Sequence, residues 1–278
     1  MVIGRGSDRD SEIVGQKEDI VSVRLELNGR VAEVVLDRPD VLNSLDDAMV
    51  AEFHTVLDTA LDDAAARCVV VRGEGRGFSA GRDLSTAEPL TEDAAAILGE
   101  VFNPLIARIA ELPVPTIAAV HGACLGVGFG IAMACDLVYC AAKTKIGSPF
   151  ANIGAVLDSG GHAALVGRVG PHRALELIYT GRLIDGNEAA SMGLVNGVVP
   201  DGELLDRVRA IADSIAAGPT GTFVMSKRLV RRIVDEHLSL TDVLAAEATA
   251  QGDAAGTPDY VEGMTAFVEK RPPNFSGH

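Results

Sequence analysis

The sequence predicts an α/β protein with a helical C-terminal region, and three observations carry the prediction. Short, continuously apolar segments alternate with amphipathic ones through residues 18–200. Thirty glycines and only 4% aromatic residues suit close strand–helix packing. Beyond residue 201 the strand pattern stops and four helical segments follow.

The first strand is read from Val21, Val23, Leu25 and Leu27, which alternate with polar residues. Asn28-Gly29 then reads as a type I′ hairpin turn leading into a second strand over 31–36. Asp46 opens a helix whose apolar positions, Met49, Phe53, Val56, Leu57 and Leu61, recur at helical spacing. Residues 68–71 are all apolar, which fits a strand covered on both faces. Another such strand, over 115–120, runs through a Gly-rich turn into a buried helix, and a further strand follows over 136–140. Helices are expected over 201–217, 222–235, 240–250 and 258–269, with Gly218-Pro219 and Gly256-Thr-Pro258 as the breaks. Residues 1–17, rich in Ser, Asp, Arg and Gly, read as a flexible tail.

Composition narrows the function. A net charge of −15 repels nucleic acid and anionic membrane, so neither is expected as a partner. Cys68, Cys124, Cys135 and Cys140 fall inside apolar patterns without a CxxC or a histidine at ligand spacing, so no metal is expected. No apolar run reaches the roughly 18 residues of a membrane span. A reducing, cytoplasmic location follows as the expectation.

Two turns carry the chemistry. One is Gly77-Phe-Ser-Ala-Gly-Arg-Asp83; the other lies in Val120-His-Gly-Ala-Cys-Leu-Gly-Val127-Gly-Phe-Gly130. The second mimics a dinucleotide-binding loop, but Ile131 stands where G-x-G-x-x-G/A needs its third small residue. Each turn follows a strand, and a helix start offers N–H groups without internal partners. Two such donors can stabilise the oxyanion of an enolising thioester by several kcal/mol.

The pair of turns resembles the thioester-binding halves of the enoyl-CoA hydratase/isomerase (crotonase) family, and the resemblance spans about residues 20–275. It implies a spiral of repeated ββα units over 18–200, then a helical oligomerisation region over 201–278 forming a trimer or a dimer of trimers. It assigns the oxyanion hole to the N–H groups of Arg82 and Val127. Ala80, Gly81, Asp83, Leu84, Gly126, Gly128 and Phe150 would line the substrate, with Phe267 and Lys270, of the same or a neighbouring subunit, reaching the CoA adenine and phosphate. Coenzyme A would arrive as part of the substrate, and no cofactor is implied.

The same resemblance exposes a departure. Hydratases carry glutamates in the register of Gly130 and Phe150, and neither is present here. Asp158 remains, in the register where isomerases of the ring-1,2-epoxyphenylacetyl-CoA and 3-enoyl-CoA type hold their working aspartate. By position alone Asp158 equally reads as a helix N-cap. One carboxylate suffices to shift a double bond, with an apolar wall of Phe150 and Val156 raising its pKa. The alternatives are a hydratase using atypical residues, a silent CoA-ester-binding subunit, and attack on substrate by Asp158. The last is the dehalogenase chemistry, for which Asn103 replaces an expected histidine. His162 is a second candidate acid/base group. Lys227, Arg228, Arg231 and Arg232 form either a phosphate patch or a solvated helical face, and Arg24 is a weaker phosphate candidate.

Overall fold

The computed structural model describes residues 21–278 apart from 63–65 and 86. The expected tail over 1–17 lies outside the described residues. The strands are β1 (Val23–Asn28), β2 (Val31–Leu36), β3 (Cys68–Gly73), β4 (Thr116–Val120), β5 (Ala123–Leu125), β6 (Leu137–Ala141), β7 (Lys145–Gly147) and β8 (Gly197–Val199). Among them run α1 (Asp47–Asp62), α2 (Ala94–Ile97), α3 (Asn103–Glu111), α4 (Val127–Ala134), α5 (Gly161–Val169), α6 (Pro171–Thr180) and α7 (Gly186–Ser191). The chain ends in α8 (Leu204–Ala216), α9 (Thr220–Glu236), α10 (Leu240–Ala255) and α11 (Pro258–Glu269).

The main sheet has the order β1-β2-β3-β4-β6-β8, antiparallel only at the β1–β2 hairpin. β5 and β7 pair in parallel as a second layer. Single bridges extend that layer on both sides, at Leu45–Arg82, Ser79–Cys124 and Ile146–Ile184. Each pass of the chain thus lays a strand in the main sheet, a short one in the second layer, and then a helix. That repeat is the spiral of ββα units.

Alternation within the parallel strands divides the core. Val34, Val69, Val71, Ala118 and Val120 face the cluster that holds Phe53, Phe102 and Phe129. Cys68, Val70, Ile117 and Ala119 face the opposite way, against Val208, Ala212 and Ala216 of α8. Both faces are covered, which is why these strands read as unbroken apolar runs. A buried ion cluster pins α8 to the sheet: Arg209 Nε and Nη2 donate to the fully buried Glu33 at 2.5 and 2.9 Å, and Arg72 Nε at 2.8 Å. Burial alone would raise the Glu33 carboxyl, but the two arginines outweigh it and hold it below the ordinary carboxylate range. All four cysteines are buried free thiols. Among the described residues no helix is long and apolar enough to cross a membrane.

Several boundaries differ from the sequence reading. Asn28 pairs with Val31, so the hairpin turn is Gly29-Arg30, with positive φ at Gly29 only. That is the type II′ pattern, in which glycine occupies the first central position. Residues 201–203 form a turn, and α8 begins at Leu204. α10 runs on to Ala255 before Thr257 caps α11 by accepting from the Tyr260 N–H. α9 is tied to the core by Lys227, which pairs with Asp136 at 2.8 Å and donates to the Val114 carbonyl at 3.2 Å.

Candidate active site

The two Gly-rich turns meet. Ser79 N–H donates to the Ala123 carbonyl and Leu125 N–H to the Ser79 carbonyl, both at 2.9 Å, so the first turn runs beside β5. On its other side, Leu45 N–H donates to the Gly81 carbonyl and Asp83 N–H to the Leu45 carbonyl, both at 2.8 Å. These bonds use the residues flanking Arg82, so the Arg82 N–H points away from Leu45. Gly81 has φ +96°, and a Cβ there would lie 2.8 Å from the Leu125 carbonyl oxygen and 3.5 Å from the Gly126 Cα. Gly126, at φ 53° and ψ −121°, adopts a conformation open in practice only to glycine. Val127 follows as the first residue of α4. Among the described residues neither the Arg82 nor the Val127 N–H donates to any group. The structure therefore places two free amide donors on adjacent turns.

The remaining residues of these turns support them. The buried Asp83 carboxylate takes hydrogen bonds from Arg38 at 2.9 Å and from the Ser85 amide and hydroxyl at 3.0 and 2.6 Å. The Ser85 hydroxyl first, then the Ser85 amide and Arg38, hold the Asp83 carboxyl below its usual range despite burial. Gly128 lies against Ser79, where a Cβ would meet Ser79 Cβ at 2.7 Å. The Arg82 guanidinium turns aside to pair with Glu92 and sits 5.9 Å from the Phe102 ring centre. Ala80 is half-buried and Leu84 is exposed. The Phe150 ring stands 3.5 Å from where a Gly126 Cβ would be.

Asp158 sits in the tight loop before α5. Ser159 and Gly160 both have positive φ, at +52° and +77°. The helix cap is Gly160, and the Asp158 side chain caps nothing in α5, so the N-cap reading is corrected. Instead the buried Ser159 donates its hydroxyl to Asp158 Oδ1 at 2.8 Å. Burial raises the Asp158 carboxyl above its ordinary value, and the Ser159 bond offsets part of that rise. Ser159 is the residue that sequence reasoning missed; an Asp-Ser-Gly-Gly run was the available sign of a tight, side-chain-braced loop.

Gly130 explains the loop's position. A Cβ at Gly130 would lie 2.5 Å from the Ser159 carbonyl oxygen, 2.6 Å from Ser159 Cβ and 3.2 Å from Ile106 Cδ1. The loop bearing Asp158 occupies the space into which a side chain at 130 would project. Ser159, the residue next to Asp158, thus takes the space that a side chain at 130 would need.

The remaining candidates are placed as follows. Val156 is 77% exposed and adds nothing to an apolar wall. Phe267, 78% exposed, and Lys270 stand at the exposed end of α11, a helix packed mainly on α10. Arg24 is spent on Asp37, Glu26 and Glu74. Of the α9 cluster, Lys227 pairs with Asp136, Arg231 donates to the Ala110 carbonyl at 2.7 Å, and Arg232 pairs with Glu236. His162 and Asn103 are exposed at the starts of α5 and α3.

Comparison with known proteins places this arrangement. A family model described as "Enoyl-CoA hydratase/isomerase" matches residues 26–278. A "Short-chain-enoyl-CoA hydratase" of Clostridium acetobutylicum is 33% identical over 254 residues, covering 91% of this chain and 97% of that protein. The crystal structure of an enoyl-CoA hydratase from Bacillus anthracis superposes with a TM-score of 0.86 at 30% identity, covering 92% of this chain and all of that one. Enoyl-CoA hydratase subunit I of Geobacillus kaustophilus gives a TM-score of 0.85 at 33% identity, over 93% and 99% of the two chains.

Proposed function

Because the chain belongs to the enoyl-CoA hydratase/isomerase family, we propose that it shifts the double bond of an enoyl-CoA thioester, with Asp158 as its single proton-transferring carboxylate. Asp158 takes a proton from C2 of a 3-enoyl thioester. The electron pair moves through the thioester onto its carbonyl oxygen, which the Arg82 and Val127 N–H groups receive. The resulting dienolate regains the same proton at C4 and leaves as the 2-enoyl thioester. Nothing is added or lost, so one carboxylate that is first base and then acid completes the cycle.

The observation that carries this reading is the closure of Gly130 by Ser159. Water addition needs a second carboxylate, and the loop bearing Asp158 fills the space where the first hydratase glutamate would stand. Burial makes Asp158 a stronger base than an exposed carboxylate, which suits removal of a weakly acidic C–H proton. Incubating a 3-enoyl-CoA with the protein in D2O is the direct test. The expected product is an unhydrated 2-enoyl-CoA by mass spectrometry. A product one water heavier overturns the proposal in favour of hydration.

Two smaller effects follow. Arg82 contributes its backbone N–H, so Arg82→Ala should change kcat by less than about tenfold, far below the loss of an oxyanion donor. A larger fall would show that the Glu92 pairing positions the turn. Ser159→Ala removes a hydrogen bond that lowers the Asp158 pKa, so the acid limb of the kcat–pH profile should move to higher pH. Activity depends on ionised Asp158 and is lost as pH falls through its folded pKa. An unmoved limb would mean that another group titrates there.

A further inference from the structure

A cavity of about 630 Å³ lies between α3, α4, α5 and α9, and Asn103, Gly130, Ser159 and Gly160 contribute to its lining. It therefore borders the loop that carries Asp158. Two arginines, Arg168 and Arg231, also line it, and no aspartate or glutamate does. Arg168 Nη2 donates to the Met133 carbonyl at 3.0 Å, and its Nη1 lies 2.9 Å from the Met133 sulfur. Arg231 Nη1 donates to the Ala110 carbonyl at 2.7 Å.

These carbonyls belong to the last turns of α4 and α3, and a helix C-terminus offsets only about half of a unit charge. Among the described residues neither guanidinium is in an ion pair with a carboxylate. Glu111 lines an adjoining cleft with Arg231 without reaching ion-pair distance. Arg30, Arg67, Arg76, Arg173, Arg207 and Arg228 likewise form no ion pair with a carboxylate among the described residues, so what sets Arg168 and Arg231 apart is that both line one cavity free of acidic side chains. In a chain of net charge −15, an acid-free cavity lined by two unneutralised guanidiniums is a place for an anion. A guanidinium has five donors in a planar fork that matches a carboxylate, and helix capping leaves several unused.

We infer that this cavity takes a carboxylate at the far end of the acyl group, so that the substrates are CoA monothioesters of dicarboxylic acids. The inference rests on the acyl-CoA reading above, with the acyl chain routed from Asp158 past Gly160, which lines the cavity. Helix capping alone is the competing role for both arginines.

Calorimetric titration of the full chain distinguishes them, using glutaryl-, adipyl- and suberyl-CoA against pentanoyl-, hexanoyl- and octanoyl-CoA. At one or more of these lengths the dicarboxylic member should bind about tenfold tighter or more, the scale of a charge-assisted hydrogen bond. Added salt should reduce that preference. Arg231→Gln and Arg168→Gln should abolish it while leaving the monocarboxylic thioesters unaffected, with folding checked by thermal melting. No preference at any length overturns the inference and leaves the thioester reading standing. If Arg231→Gln instead weakens free CoA and every thioester alike, the cavity serves the CoA phosphates and the inference is wrong. If no thioester binds at all, the reading under Proposed function falls and this inference with it.

Discussion

Asp158→Asn should lower double-bond isomerisation by about 10²–10⁴-fold, the range that a positioned general acid/base supplies. The same substitution should raise the melting temperature at neutral pH, because Asp158 is destabilising where it sits. Burial lifts its folded pKa above the unfolded value. The ionised carboxylate is therefore disfavoured in the fold, and the penalty is fully present above the folded pKa. It fades as pH falls through that value towards the unfolded one. Asparagine carries no charge to desolvate and still accepts the Ser159 hydroxyl, so the gain in stability should shrink in acid. Loss of activity with loss of stability would point to a merely structural aspartate. Retention of activity would remove Asp158 from the mechanism.

Most of the framework was legible because it rests on short-range rules. The apolar runs of β3 and β4 announced strands covered on both faces, and α8 supplies the second cover. The glycines of the two turns marked where backbone must be exposed, and Gly81 and Gly126 touch as those turns require. What escaped were relations between distant segments. Asn28-Gly29 suggested one turn type, yet the pairing of Asn28 with Val31 decides another. The basic residues of α9 read as either a phosphate patch or a solvated face, and nothing in the sequence signalled that Lys227 pairs with Asp136, some 90 positions away. The Asp-Ser-Gly-Gly run marked a braced loop at Ser159, but the packing of that loop on Gly130 had no sign in the sequence. Spacing along the chain reports local conformation, whereas charge pairing and steric exclusion are properties of the assembled core.

That exclusion makes the second large prediction. Restoring the hydratase residue, Gly130→Glu, should not create a hydratase; it should cost stability and lower isomerisation by about 10²-fold or more. Two effects compete at this helical position. Relief of glycine's backbone freedom favours any substitution by about 1 kcal/mol. Against it, a Cβ would meet the Ser159 carbonyl oxygen at 2.5 Å and Ser159 Cβ at 2.6 Å. Both are atoms of the buried Ser159, which has positive φ, rather than the free end of a side chain, so they cannot yield without moving the loop. Overpacking of this kind costs about 1–3 kcal/mol, which exceeds the propensity gain. The displaced loop carries Asp158 with it, and a shift of about 1 Å in a reacting group can cost about 10²-fold. Gly130→Ala, with the same Cβ and no charge, should show the same direction with a smaller amplitude, and keeps the test open should the glutamate variant fail to fold. The decisive measurement is hydration of a 2-enoyl-CoA by Gly130→Glu combined with Phe150→Glu. Hydration at undiminished stability would show that the Asp158 loop yields freely and that its packing on Gly130 does not set the reaction.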